Sequence, residues 1–136
     1  MTQEEKQLLL KDLSARLPHG VKVWYKYSTT SFQLYATSIR LAEEKIALSR
    51  LFNKEGDWFP IVEAEEILIK PYLRPMESMT EEEYNELTDI PNIDIYKDGR
   101  TITNGREIDW LNKKMFDYRH LISMGLALPA TEGMYN

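Results

Sequence analysis

The stretch EILIKPYLRPMESMTEEEYNEL, residues 66–87, decides the fold because its character changes in the middle. It begins as an apolar, strand-like run, passes through two prolines, and ends in acidic helix-forming residues. Pro71 and Pro75 each disfavour helical geometry in the residue before them. KPYLRP is therefore predicted to be an extended segment that leaves the last strand of a sheet.

The second half of this stretch carries the signals of a helix N-terminus. Ser78 and Thr80 are candidate N-cap residues, and Glu81, Glu82 and Glu83 lie where carboxylates interact favourably with the helix dipole. The change from basic to acidic side chains therefore predicts a hinge between a strand and a helix. This interpretation is preferred over a catalytic or ligand-binding loop.

Upstream of the hinge, apolar residues recur at every second position, as they do in half-buried strands. The runs are VKVWYKY (21–27), SFQLYATSIRL (31–41), IALSRLF (46–52), WFPIV (58–62) and EEILI (65–69). In the second run, Phe32, Leu34, Ala36 and Ser38 are predicted to face one side, and Tyr35, Thr37 and Ile39 the other. Pro60 restricts WFPIV to an edge strand or a bend. The pattern predicts a small antiparallel sheet of four or five strands, which either stays open or closes into an SH3-like or OB-like barrel.

The segment TQEEKQLLLKDLSARLPHG, residues 2–20, is predicted to be an amphipathic helix. Thr2 and Glu5 have the spacing of a capping box. Leu9, Leu10, Leu13 and Leu17 form one apolar stripe, and Pro18 and Gly20 end the helix.

Beyond the acidic helix, IPNIDIYKDGRTIT (90–103) predicts a hairpin that turns at Asp98 and Gly99. REIDWLNKKMF (106–116) predicts a helix, and YRHLISM (118–124) a final short helix capped by Asp117 and ended by Gly125. The last residues, 126–136, are apolar enough to lie on the body of the protein.

The predicted fold class is therefore α+β, in one domain covering residues 1–136. Residues 1–19 form the N-terminal helix, 20–75 the sheet or small barrel, and 76–136 the helices, hairpin and tail. A chain of 136 residues with 43% hydrophobic and 29% charged side chains has the composition of a globular domain. It contains no cysteine, no signal-peptide pattern and no apolar run of membrane-spanning length, so we expect a cytoplasmic protein.

The net charge of −5 comes from one part of the chain. Residues 76–98 carry eight acidic side chains against Lys97 alone, whereas the rest is balanced. An acidic patch repels a phosphate backbone, which disfavours nucleic-acid binding through that face.

No catalytic motif is visible. The two histidines, His19 and His120, have no ligand-type neighbours except Asp117, whose spacing from His120 fits a helix cap better than a catalytic dyad. There is no Gly-rich phosphate loop, no nucleophile elbow and no zinc-ligand set. We therefore expect a protein that is not an enzyme, with no catalytic residues, metal or cofactor.

Binding is the remaining class of function, and two surfaces are candidates for it. Aromatic residues alternate with basic ones in the predicted sheet, and acidic residues follow the hinge. The candidate binding residues are Trp24, Tyr35, Trp58, Glu81, Glu82, Glu83 and Glu86. The expected partner is another protein. The alternative is a nucleic-acid-associated protein whose sheet aromatics stack on bases and whose Lys113, Lys114 and Arg119 contact phosphates.

Three segments, MTQEEKQLLLKDLSARLPHGVKV, IKPYLRPMESMTEEE and IDWLNKKMFDYRHLISMGLALPATEGMYN, together resemble a family of short uncharacterised proteins of gut anaerobic bacteria. These proteins are often encoded in prophage or other mobile-element regions. The resemblance covers both ends and the hinge, around half of the chain. Family members often carry histidine where Lys113, Lys114 or Met115 stands here, which argues against a metal or catalytic role at that position. The resemblance implies a bacterial cytoplasmic accessory protein and supplies no activity, substrate or catalytic residue.

Overall fold

The computed structural model describes residues 2–52, 54–63, 66–89 and 105–135. Its helices are α1 (Gln3–Arg16), α2 (Glu81–Thr88) and α3 (Gly105–Lys113), and short 3-10 turns span Leu17–His19 and Met76–Ser78. Its strands are β1 (Lys22–Tyr27), β2 (Thr30–Arg40), β3 (Lys45–Ser49), β4 (Asp57–Pro60), β5 (Val62–Glu63), β6 (Glu66–Ile67), β7 (Ile69–Leu73) and β8 (Leu128–Pro129). The predicted hairpin at Asp98 and Gly99 lies outside the described residues.

The α+β class, with an N-terminal helix and a mostly antiparallel sheet, is confirmed. The main sheet has the order β4-β3-β2-β1-β7-β8, and β5 pairs with β6 in a separate two-stranded ribbon. The main sheet has six strands, more than the four or five predicted, because residues 128 and 129 add a strand in parallel to β7. The sheet stays open and forms no SH3-like barrel, since β8 takes the place beside β7 where a barrel would have to close onto β4.

The segment KPYL does not leave the sheet, contrary to the prediction. Strand β7 includes Pro71, which is buried opposite Val23 of β1. A proline is tolerated in this inner strand because β8 pairs only with Tyr72 and Leu73, beyond the residue that lacks an N–H. The chain leaves the sheet only after Arg74, whose backbone bonds to Met115 and Asp117.

A β-bulge changes the predicted faces of β2. The register shifts between Ala36 and Ser38, so that Ile39 pairs with Ile46 on the face that also carries Ala36. The alternation predicted for residues 32–39 is therefore wrong after Ala36, because the extra residue of a bulge reverses the direction of every later side chain.

Helix α1 packs its leucine stripe against the sheet, as predicted. Thr2 and Glu5 form both hydrogen bonds of the capping box, each 3.0 Å long. Leu9, Leu10 and Leu13 are buried in one cluster with residues from β1, β2, β3 and β7. Burial of each leucine stabilises the fold by about 2 kcal/mol.

The predicted short helix at residues 118–124 does not form; these residues make turns. Asp117 nevertheless accepts the predicted kind of capping bonds, from the backbone N–H groups of Leu121 (2.8 Å) and Ile122 (3.0 Å). Met115 and His120 have φ angles of +64° and +61°, and this left-handed geometry interrupts a helical run. Gly125 follows with a φ of +75°, as a helix-ending glycine would.

A buried ion-pair cluster joins α1 to this C-terminal segment. Both oxygens of Asp12 accept hydrogen bonds from Arg16, and Oδ1 also accepts one of 2.7 Å from Arg119. Arg16 and Asp12 are fully buried, and Arg16 also donates to the carbonyl of Phe116 at 2.7 Å. This cluster was not predicted, because i,i+4 pairs of opposite charge in a helix are usually exposed.

Candidate functional site

The acidic helix α2 begins as predicted, at Thr80. The Thr80 hydroxyl accepts the N–H of Glu83, and the Glu83 carboxylate accepts the N–H of Thr80, both at 3.1 Å. None of the eight residues of α2 is buried. The helix therefore lies on the surface. It has no buried apolar face, so individual side-chain contacts attach it to the rest of the protein.

Arg74 holds the first turn of α2 against the end of β7. Its two terminal nitrogens donate to the two carboxylate oxygens of Glu83, and each hydrogen bond is 2.7 Å long. Together with the Thr80 N–H, this pairing lowers the pKa of Glu83 to about 2. The guanidinium also lies 4.2 Å from the centre of the Phe116 ring. Glu83, one of the predicted binding residues, is thus occupied by a structural pair.

The last turn of α2 contacts α3. The indole N–H of Trp110 donates to Glu86 at 2.9 Å. The Trp110 ring stacks on Phe116, with centroids 5.7 Å apart. The Phe116 ring therefore contacts both residues that hold α2, Arg74 at its first turn and Trp110 at its last.

A groove of about 760 Å³ runs along α2. One wall is α2 and the turn before it, and the other is the C-terminal tail. The lining residues are Arg74, Pro75, Ser78, Thr80, Glu82, Glu83, Glu86, Lys114, Ala130, Thr131, Glu132, Gly133, Met134 and Tyr135. Glu82 and Glu86 lie four residues apart, which places them on the same face of the helix. Of the four predicted acidic residues, Glu81 alone does not line the groove.

The tail wall of the groove is anchored through Tyr135. Its hydroxyl donates to the carbonyl of Tyr72 at 2.7 Å and accepts the N–H of Lys22 at 2.9 Å. Burial raises the pKa of Tyr135, because the phenolate would lose its hydration there. The ammonium of Lys22 donates to the carbonyl of Met134 at 2.7 Å. The predicted packing of the tail on the body is thereby confirmed.

The predicted aromatic residues share the face of the sheet opposite α1. Trp24 pairs with Gln33, and Lys22, two residues earlier, pairs with Tyr35. Trp58 pairs with Ala47 at the β4 edge. All three rings are half-buried.

A basic side chain lies over each of these rings. Lys70 lies 5.6 Å from the centre of the Trp24 ring, Lys22 5.6 Å from that of Tyr35, and Arg40 4.0 Å from that of Trp58. Such cation–π contacts stabilise each pair by about 0.5–1 kcal/mol at exposed sites. One face of each ring is therefore already in contact with the protein's own cation.

A smaller cavity of about 410 Å³ opens beside Trp58. Its other lining residues are Leu17, Ala36, Thr37, Ser38, Ala47, Phe52, Lys54, Glu55 and Gly56. The Phe52 ring also lies 5.7 Å from the Tyr35 ring. Phe52 therefore connects the cavity beside Trp58 to Tyr35, the second of the predicted aromatics.

The structure connects the two predicted surfaces through one side chain, Lys22. Glu82, Glu83 and Glu86 line the groove with the tail, and Lys22 links Met134 of that tail to Tyr35 of the aromatic face. Sequence reasoning missed Arg74, Lys114 and Glu132 as lining residues. The change from basic to acidic residues after Arg74 could have indicated a contact between Arg74 and the acidic helix. No feature of the sequence near Glu132 indicates that this residue lines the same groove.

Within the described ranges, no group of three or more histidine or carboxylate side chains could hold a metal ion. No helix in this part of the chain has the length and apolar character needed to cross a membrane. No family model matches the chain, and no curated protein or solved structure matches it.

Proposed function

We propose that the protein is a non-enzymatic binding module that docks a basic segment of another protein in the groove along α2. The observation that supports this most directly is the charge of the groove. Glu82 and Glu86 line one wall and Glu132 lines the other. The lining also holds two cations: Arg74 is neutralised by Glu83, and the ammonium of Lys114 lies 5.9 Å from the centre of the Trp110 ring, so acidic side chains outnumber basic ones by four to two. In the described part of the chain, neither Glu82 nor Glu132 forms an ion pair, which leaves both carboxylates free to bind cations.

The groove also suits the aliphatic parts of lysine and arginine. Pro75, Met134 and Tyr135 supply apolar surface between the acidic walls. The methylene stems of basic side chains cover such surface while their charged ends reach carboxylates. Exposed ion pairs contribute about 0.2–1 kcal/mol each, so two or three of them supply at most about 3 of the roughly 8 kcal/mol that a micromolar affinity requires, and apolar contact has to supply the rest.

Binding of a labelled basic peptide, about ten residues of alternating lysine and alanine, tests this function. We expect fluorescence anisotropy to show saturable binding that weakens with salt. Replacing Glu82 and Glu86 by glutamine should weaken it about fivefold or more. A glutamine side-chain carbonyl at position 86 can still accept the Trp110 hydrogen bond, so the fold should be retained.

Glu81→Gln is the matched control, because Glu81 lies on the same helix and does not line the groove. It should leave the affinity unchanged. Equal loss of affinity in both variants would show that the peptide responds to overall charge and would contradict docking in the groove. An acidic peptide of the same length should not bind.

The resemblance to proteins encoded in mobile elements supports the further proposal that this module serves as an adaptor of such an element. An adaptor needs a docking surface and no catalytic group, which agrees with the properties proposed for the groove. Co-purification of one partner protein from the native host, in the presence of nuclease, would support this role. If the Glu82→Gln/Glu86→Gln variant recovers as much of this partner as the native protein does, the result would count against the role.

Nucleic-acid binding is the second candidate, and the basic side chains of the aromatic face favour it. Lys22, Lys26 and Lys70 lie beside Trp24 and Tyr35 on neighbouring strands. Lys26 pairs with Glu66 and the rings already contact cations, so phosphate contacts would dominate over base stacking. Affinity for single-stranded DNA that falls steeply with salt, and falls further in Lys70→Ala, would support this function. A flat salt response would dismiss it.

A further inference from the structure

The cavity of about 410 Å³ beside Trp58 is a second concave site, and none of the lining residues described for it also lines the groove along α2. Its floor is a row of residues across three strands, since Ser38 pairs with Ala47 and Ala47 pairs with Trp58. The serine and alanine side chains are small beside the indole, so they leave a depression in this face of the sheet. The β-bulge of β2 adds Thr37 to the lining, and such bulges are over-represented next to active sites.

The wall facing this floor comes from the connection between β3 and β4. The Phe52 ring lies 5.7 Å from the Tyr35 ring, and a Cβ atom at Gly20 would approach it to 3.1 Å. Farther along the wall, a Cβ atom at Gly56 would lie 2.1 Å from the carbonyl oxygen of Leu48 in β3. A close contact at a glycine therefore fixes the position of the wall at Phe52 and again at Gly56.

Two side chains of opposite charge, Lys54 and Glu55, belong to the same wall. Both are exposed, and among the residues that the structure describes neither forms an ion pair. Ser38 adds a hydroxyl that bonds to no other described residue and that can both donate and accept. The cavity therefore offers one cation, one anion and one hydroxyl beside the apolar surface of Phe52 and Trp58.

The charged side chains around the cavity are balanced as well. Arg50 and Asp57 line a neighbouring cavity of about 300 Å³, which Glu55 also borders. Arg40 is paired with Glu43, nitrogen to carboxylate oxygen, at 3.4 Å. Because neither sign is in excess, the charges favour a ligand that is neutral overall and carries both an anionic and a cationic group.

We infer that this cavity binds a free α-amino acid with an apolar side chain. Lys54 pairs with the carboxylate of the ligand, Glu55 pairs with its ammonium, and Phe52 and Trp58 cover its side chain. Only a free amino acid carries both charged groups on one carbon atom, whereas each end of a peptide carries one of them. A volume of about 410 Å³ is near the lower end of the range of ligand pockets, about 300–1,000 Å³, as a ligand of this size requires.

Titration with phenylalanine, followed by NMR of the backbone amides, tests the inference. We expect saturable shifts at Ala47, Phe52 and Gly56 with a Kd of roughly 0.1–1 mM, because exposed ion pairs add little affinity. Phenethylamine lacks the carboxylate and 3-phenylpropionate lacks the ammonium, so each should bind about three- to fivefold more weakly. Both are smaller than phenylalanine, so steric exclusion cannot explain the loss.

Single substitutions assign each charge to its ligand group. Lys54→Gln should weaken phenylalanine binding about three- to fivefold and bind phenethylamine at least as tightly as the native protein, because that ligand has no carboxylate. Glu55→Gln should weaken phenylalanine binding to the same extent and leave 3-phenylpropionate unaffected or tighter. Ser38→Phe fills the depression at an exposed strand position without a change of charge, so it should abolish binding of all three ligands. Lys45→Gln is the matched control, because Lys45 is exposed on β3 and does not line the cavity, and it should bind like the native protein.

Four results would overturn the inference. They are shifts that do not saturate by about 10 mM phenylalanine, equal binding of the three ligands, shifts centred on the groove along α2, and equal loss of affinity in Lys54→Gln and Lys45→Gln. The ligand series on the native protein tests the inference even where a variant folds poorly. Because the cavity and the groove are separate, none of these results changes the expected binding of the basic peptide, and failure of the peptide assay leaves the amino-acid site untouched.

Discussion

Arg74 and Glu83 lie nine residues apart and are joined by two hydrogen bonds of 2.7 Å, nitrogen to carboxylate oxygen. This pair explains the reversal from basic to acidic residues at the centre of the chain. Arg74 directly follows β7, and Glu83 belongs to the first turn of α2. A bidentate arginine–carboxylate pair fixes the orientation of both groups, so it sets the direction in which α2 leaves the sheet.

We predict that Glu83→Gln lowers the free energy of unfolding by about 2 kcal/mol at pH 7. The loss is smaller than for a fully buried pair, because solvent partly screens Arg74 and Glu83. The folded-state pKa of Glu83, about 2, is below its ordinary value of 4.5. Its stabilising contribution is therefore present above pH 4.5 and is lost as the pH falls towards 2. Urea unfolding across this range should show the native protein and the variant converging in acid. Glu81→Gln, exposed and outside the pair, should run parallel to the native curve, and a parallel Glu83→Gln curve would contradict the prediction.

Replacement of Arg16 by methionine should lower the free energy of unfolding by about 3 kcal/mol. Asp12 is fully buried, and the substitution would leave it with Arg119 as its only described cationic partner. Lys11→Met on the same helix is exposed and should change stability by less than about 0.5 kcal/mol. Chemical denaturation of both variants measures the difference. A stable Arg16→Met protein would show that packing, and not charge pairing, dominates at this site.

Gly56→Ala should destabilise the protein by about 3 kcal/mol or displace the β3–β4 loop. A Cβ atom at residue 56 would lie 2.1 Å from the carbonyl oxygen of Leu48 and 2.5 Å from its carbon, and this backbone belongs to β3. Gly125→Ala is a useful comparison, because its φ of +75° is strained for alanine, while a Cβ atom there would meet no atom of the described residues within 4 Å other than its chain neighbours. That variant should lose only about 1 kcal/mol. Thermal unfolding that ranks the two variants in the opposite order would refute the steric explanation.

Tyr135→Phe should lower the free energy of unfolding by about 1–2 kcal/mol, since it leaves the Lys22 N–H and the Tyr72 carbonyl without their shared partner. Tyr27→Phe removes a hydroxyl from a side chain that is 64% exposed and should have no measurable effect. Amide hydrogen exchange at Lys22 should also become faster in Tyr135→Phe. Unchanged exchange there would show that the tail is not held by this hydrogen bond.

Features that depend on residues within about four positions of each other could be predicted from the sequence. The capping box at Thr2, the N-cap at Thr80, the leucine stripe of α1 and the left-handed geometry of Gly125 are examples. Each depends on backbone geometry and side-chain reach inside one turn, which do not require knowledge of the rest of the fold. Pro60, which cannot donate to a neighbouring strand, predicted an edge strand or a bend, and β4 is an edge strand of the main sheet.

The candidate site was predicted only in part. The sequence indicated acidic residues at the start of α2 and aromatic residues in the sheet. It did not distinguish Glu83, which is paired, from Glu82, which is free, because the partner of Glu83 is chosen by the path of Arg74. It also gave no sign that Glu132 lines the same groove.

By itself, then, the sequence determined the class of the fold, the N-terminal boundaries of α1 and α2, and the residue types of the two surfaces. The tertiary structure alone decided that residues 128 and 129 join the sheet, that Asp12 meets Arg119, and that Lys22 connects the groove to the aromatic face. These contacts join residues that are more than fifty positions apart. Local propensity carries no information about such pairs, because they form only when the burial of the shared core has brought distant segments together.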